Sequence, residues 1–310
     1  MRLLCLSSLA ALLIVCSTLV GRVAAADAPQ PSTNATAPGE LFARNNLVAW
    51  CIVPFDAKKR NAKERAEMLR RLGISKLAYD WRGNHVPFFE EEILETKKNG
   101  IELVAFWEMH GDFVKLVRKY HIKPQFWVIM SSPNAGSNEE RVAEAARNVL
   151  PAVRQTRELG CKLALYNHGG WSGEPDNMVA VVRWLREHEA ADHVGIVYNL
   201  HHGHGHIADF PAVLAKMKPY LLCFNLNGMV TDGDRRGQLI LPLGQGDFDL
   251  QLLKTIIASG YRGPIGILNH TDEDAEGRLQ DNLDGLDWLV RQLEGQPAGT
   301  RPTPRTWKPR

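Results

Sequence analysis

Eight short apolar runs punctuate the chain: Val48–Val53, Lys76–Asp80, Ile101–Trp107, Gln125–Met130, Lys162–Tyr166, Val194–Tyr198, Tyr220–Leu226 and Pro264–Leu268. They are rich in Val, Ile, Leu and aromatic residues, as strands buried on both faces should be. Each is followed by a helical stretch. Asn61 with Glu64 makes a helix start, since side chains three apart can cap each other's backbone donors. Pro175 and Pro211 fall in first helical turns, where the missing N–H needs no partner. Gly73, Gly100, Gly160 and Gly260, with His121 in the equivalent place, stand where helices stop in a left-handed residue. Eight strand–helix units between residues 45 and 294 imply parallel strands with right-handed crossovers, and a closed (β/α)8 TIM barrel in both count and length. The alternative, an open doubly wound sheet, would usually carry a Gly-rich turn after its first strand, and Pro54-Phe55-Asp56 is not one.

The two ends read differently. Arg2, the apolar run Leu3 to Val20 and Ala24-Ala25-Ala26 have the parts of a secretory signal peptide over residues 1–26. An uncleaved anchor is the other reading, weakened by Ser7, Ser8, Ser17 and Thr18. Residues 27–44 have the Pro-containing polar composition of a disordered linker, and residues 295–310 that of a disordered basic tail. The expectation is an exported, periplasmic or extracellular protein with no membrane segment after cleavage.

The whole chain carries a formal charge of +2; losing Arg2 and Arg22 brings it to zero. Arg301, Arg305, Lys308 and Arg310 hold +4 in the tail and residues 27–44 hold −1, which leaves −3 on the barrel. Such a domain does not attract phosphate backbones, so nucleic acid is excluded as a partner on electrostatic grounds. Cys51, Cys161 and Cys223 remain after cleavage. They lie in or beside apolar runs and read as small core residues, with no disulfide framework.

In a barrel of this kind the site is built at the carboxyl ends of the strands. Seven of the 11 His (110, 168, 201, 202, 204, 206 and 270) follow strand-like runs. Neutral imidazoles drawn from several strands can converge on one ion, so His168, His202, His270 and Asn199 are the candidate ligands of a divalent Zn, Mn, Co or Fe. Glu108, His110 and Asp80 are the candidate acid/base groups. Arg82 could hold an anionic group, and Trp107 and Trp171 could stack on a sugar face. No nucleophile elbow, phosphate loop or calcium loop is present.

Four stretches, in order, resemble the xylose-isomerase-like barrel superfamily of sugar phosphate isomerases and epimerases. They are Val194–Asn199 with His202 beyond, Leu222–Asn227, Pro242–Asp249 with its Gly-x-Gly-x-x-Asp spacing, and Gly260–Ile265. The resemblance spans residues 45–294. It implies a divalent metal held by Glu, Asp, His and Glu on the last four strands. Those places here fall on Tyr166 or Asn167, Asn199, Asn225, and Leu268 or Asn269. An amide offers a carbonyl oxygen but no charge, so a hard cation would be held poorly.

Together these readings predict a sugar or sugar phosphate isomerase/epimerase with a small sugar-like substrate, Asn225 and Asn227 among its substrate contacts, and a metal-dependent mechanism through an altered, His-rich ligand set. A homo-oligomer is compatible with the sequence. Two alternatives share the site: a non-catalytic carbohydrate-binding barrel, and a metal-dependent lyase or hydrolase acting on sugars.

Overall fold

The computed structural model describes residues 37–306 except Ala135; the expected signal peptide and most of the linker lie outside these residues. Eight strands, β1 (Leu47–Trp50), β2 (Lys76–Tyr79), β3 (Glu102–Trp107), β4 (Gln125–Val128), β5 (Leu163–Tyr166), β6 (Val194–Asn199), β7 (Leu221–Leu226) and β8 (Ile265–Leu268), pair in parallel in chain order. β1 also pairs with β8, from Leu47↔Ile265 to Trp50↔Leu268, so the sheet closes into a barrel. The outer layer is α1 (Ala62–Arg71), α2 (Phe89–Lys98), α3 (Gly111–Tyr120), α4 (Asn138–Leu159), α5 (Pro175–Glu189), α6 (Phe210–Met217), α7 (Asp249–Ala258) and α8 (Ala275–Leu293). None of the described helices is long and apolar enough to cross a membrane.

The local signals act as their chemistry requires. Asn61 and Glu64 form a reciprocal capping box at the start of α1, with bonds of 2.9 and 3.0 Å. His121 closes α3 in the left-handed region at φ 52°. Residues pointing out of the barrel wall pack under the helices. Those pointing inward form a separate core that includes Val48, Trp50, Ala78, Ala105, Trp127, Ala164, Tyr166, Val197, Cys223 and Leu268. Large and small side chains share this interior: Trp50 lies tilted against Trp127 at 4.3 Å between ring centroids and meets Trp107 edge-on at 5.2 Å. Gly266 makes room for it, because a Cβ there would stand 2.5 Å from the Trp50 ring.

Two boundaries differ from expectation. Leu41 and Phe42, at the end of the expected linker, are buried. Residues 295–306 are not a free tail. Arg305 and Thr306 donate backbone N–H groups to the buried Asp281 of α8 at 2.8 and 2.9 Å, and Gln245 donates to the Pro302 carbonyl at 2.9 Å. A carboxylate 24 residues upstream of Arg305 fixes this segment, which composition does not reveal.

The Gly-x-Gly-x-x-Asp turn is architectural. Asp249 accepts the backbone N–H groups of Met229, Gly244 and Gly246 at 2.8, 2.8 and 3.0 Å, which folds the loop after β7 back onto the start of α7.

Candidate active site

The carboxyl ends of the strands enclose a cavity of about 340 Å³. Three kinds of side chain line it. The first is a pair of carboxyls. Asp80 follows β2 and is buried, which pushes its pKa up to about 6 against the opposing pull of Arg82 and a hydrogen bond from the Cys51 thiol. Arg82 Nη1 lies 3.6 Å from Asp80 Oδ2. Glu108 follows β3, accepts the Ile129 N–H at 3.0 Å, and is raised by partial burial.

The second kind is imidazole. The rings of His168 and His202 lie 4.6 Å apart, and His201 sits 4.3 Å from His202 and 5.8 Å from His270. Burial, then the neighbouring imidazoles, pushes His202 down to about 3; burial and the His270 ring push His201 down to about 4. His270 is lowered by burial and by Arg82. These three rings are therefore uncharged at neutral pH.

The third kind is aromatic: Trp81, Trp107 and Tyr166 present faces or edges to the cavity. Cys51 and Glu108 both lie on this wall with left-handed backbone, φ 57° and 55°. That conformation costs energy for any residue with a Cβ and tends to gather at functional sites.

The cavity brings together Asp80, Arg82, Trp107, Glu108, His168, His202 and His270 from five strand ends. It does not bring in the others. His110 caps α3, its Nδ1 accepting the Asp112 N–H at 3.2 Å, and packs against Trp81 and Phe89. Trp171 donates its indole N–H to Asn138 and lies under Arg141. Asn227 is buried and donates to the Gly228 and Leu239 carbonyls, shaping the loop after β7. His204 and His206 are held by the Leu239 carbonyl and by Glu174 with Asp209.

Asn199 and Asn225 belong to a buried amide ladder. Asn167 exchanges bonds with the Asn199 backbone at 2.7 and 3.0 Å, Asn199 Nδ2 donates to the Tyr166 hydroxyl at 2.8 Å, and Asn225 Nδ2 donates to Asn199 Oδ1 at 2.8 Å. Asn199 Oδ1 also accepts the His201 N–H. Both polar ends of the Asn199 amide are thus engaged within the protein. Among the described residues no group of three or more His, Cys, Asp or Glu side chains is arranged to hold a metal ion. A cation site built on Asn199 therefore does not fit, and at the other implied places the amide oxygens of Asn225 and Asn269, buried without a hydrogen-bond partner, carry no charge to hold a hard cation.

Four residues that line the cavity, Cys51, Trp81, Ile129 and Tyr166, are not among the candidates read from the sequence. Cys51 read as core, and only its left-handed backbone turns it to the cavity. Tyr166 was visible as a displaced ligand position; its parity with the inward-facing Ala164 puts it inside. His201 lies beside His202 but is not among the residues that line the cavity, and its backbone N–H is held by Asn199.

No protein-family model matches the sequence, and no curated protein matches it. Solved structures do match in fold. The 3-keto-D-glucoside 4-epimerase of E. coli superposes with a TM-score of 0.58 at 14% identity, covering 79% of this chain and 98% of that one. The IOLI protein, solved with a bound zinc atom, gives the same values. A xylose isomerase-like TIM barrel protein from Mycobacterium smegmatis, in complex with magnesium, gives 0.54 at 14% identity over 83% of this chain and 98% of that one. The closed (β/α)8 barrel is thus the fold that this chain shares with these structures.

Proposed function

We propose that the protein is a sugar isomerase or epimerase that moves a proton at the carbon beside a sugar carbonyl. The observation that carries this is the placing of two carboxyls with raised pKa, Asp80 and Glu108, on one small cavity with uncharged imidazoles. A proton-transfer group works best with a pKa near the operating pH, and both carboxyls are moved toward it. In this reading Glu108 takes the proton from carbon, and the electron pair moves to the carbonyl oxygen as an enediol forms. Asp80 or a neutral imidazole donates a hydrogen to that oxygen, and return of the proton completes the epimer or isomer. Trp107 offers a wall to the apolar face of the sugar. The zinc and magnesium of the neighbours support a cation in related barrels, but the donors present here do not fit one, and no step is assigned to it. The leader read in residues 1–26 supports export of this activity from the cytoplasm.

Proton exchange tests the reading. Incubation in D2O with a panel of aldoses and ketoses, followed by NMR, should show deuterium entering beside the carbonyl. Glu108→Gln should reduce that rate at least ~100-fold, the usual scale of a general base, with the thermal transition retained. Exchange undiminished in Glu108→Gln, or absent in the parent with every sugar, rejects the proposal. The cavity without turnover would then favour the carbohydrate-binding alternative.

A further inference from the structure

A second cavity, of about 610 Å³, opens on the same rim of the barrel. The loop after β1, the first turn of α1, the 3-10 turn Gly83–Phe88 and Asp272 form its walls. Arg82 lines both cavities. Its guanidinium lies over the Phe55 ring, 5.4 Å from the centroid, and Phe55 in turn lies tilted against His270 with ring centroids 3.9 Å apart. Asp272 follows His270 by two residues. Arg82, with its side chain half exposed, thus stands on the boundary of the two chambers, and Phe55 packs against both it and His270.

The charge of the outer chamber decides what enters it. Its four cations face four carboxylates, and the inner ones are already paired: Arg60 with Asp56 at 2.8 Å, Arg65 with Glu92. A phosphate would leave water for a site whose cations are already matched, at an uncompensated cost. Val53, Pro54 and Phe88, the last 53% exposed, add apolar surface beside these polar groups. That mixture suits an uncharged molecule with hydroxyl edges and an apolar face, as a pyranose ring has.

We infer that the substrate is a neutral reducing disaccharide or longer sugar. Its reducing-end ring occupies the inner chamber, where its open form presents a carbonyl to Glu108 and Asp80, and the glycosidically linked ring occupies the outer chamber. The inference rests on the inner cavity being the sugar site proposed above. It sets the protein apart from an enzyme of monosaccharides or sugar phosphates.

The experiment compares deuterium incorporation from D2O into cellobiose, lactose and maltose with that into glucose, galactose and glucose 6-phosphate, using the full chain. At least one disaccharide should exchange with a kcat/KM about tenfold or more above that of its monosaccharide, the scale of one buried ring face. Ala57→Trp and Asn84→Trp, two exposed positions on separate walls of the outer chamber, should remove this gain and leave monosaccharide exchange unchanged. Exchange of monosaccharides with no disaccharide gain, or a preference for glucose 6-phosphate, overturns the inference and leaves the proposed chemistry standing. No exchange with any sugar rejects the chemistry instead. Saturation-transfer NMR then decides the two-chamber assignment alone: disaccharide binding lost in both Trp variants supports it, and binding unchanged in them overturns it.

Discussion

Replacing Asp80 with asparagine should make the protein more stable, and more so at higher pH. Asp80 is buried beneath the cavity, and its carboxyl is raised from an ordinary 3.8 to about 6. At ~1.36 kcal/mol per tenfold change in proton affinity, keeping it ionised in the folded state costs about 3 kcal/mol. The folded protein binds more protons than the unfolded chain between these two values, so this cost is absent below about pH 4 and complete above about pH 6. An amide in its place would carry no charge to bury. That cost is already net of the attraction of Arg82 at 3.6 Å and of the thiol bond from Cys51. The expectation is a gain of about 3 kcal/mol at pH 7.5, shrinking by about 2 kcal/mol on going to pH 4.5. Urea unfolding of both proteins at the two pH values measures it, with equal m-values as the check that the unfolded states match. A difference that stays constant to within about 0.5 kcal/mol between the two pH values refutes the reasoning, because only a titrating Asp80 supplies the slope. The same Asp80→Asn variant should lose turnover, so that stability and activity move in opposite directions.

The imidazoles slope the other way. His201 and His202 stay uncharged in the folded protein while their unfolded counterparts protonate below about pH 6.5, so stability should fall as pH drops from there toward 4, and His202→Asn should flatten that fall; an unchanged slope of the urea midpoint excludes the assignment. Dialysis against EDTA should leave both the thermal midpoint and deuterium exchange unaltered, and a loss reversed by zinc or magnesium would show that a cation is held after all. Ending the chain after Gln296 removes the partners of the buried Asp281 carboxylate and should cost about 3 kcal/mol in urea unfolding. Arg305→Ala, which removes only a half-exposed guanidinium, should cost about 1 kcal/mol or less.

The barrel was legible because strands buried on both faces leave a nearly pure apolar signature, and because helix ends are fixed by local chemistry: the Asn61–Glu64 cap, the left-handed Gly100 and Gly160. The rim was legible where a residue's place depends on strand parity and length, which is how Asp80, Trp107, Glu108, His168, His202 and His270 come together. It was not legible where a side chain chooses between the cavity and a neighbour. His110 turns to cap the helix that it precedes. Asn225 turns to Asn199, since one amide can donate to the other, and the Asn199 amide turns to the Tyr166 hydroxyl. Trp171 follows a loop whose direction is set by Gly169 and Gly170 at positive φ. The docking of residues 301–306 depends on Asp281, a contact across the fold with no trace in local composition.

The indole rings of Trp50, Trp107 and Trp127 lie within 4.3–5.2 Å of one another at the base of the cavity. Rings that close share their excited states, so the trio absorbs and rotates polarised light as a coupled chromophore. Only Trp107 of the three meets the cavity. A molecule settling there changes the surroundings of one member while the barrel interior holds the other two still. The protein thus carries a built-in optical gauge of occupancy: the near-ultraviolet dichroism of this trio should register arrival of a guest without any attached dye.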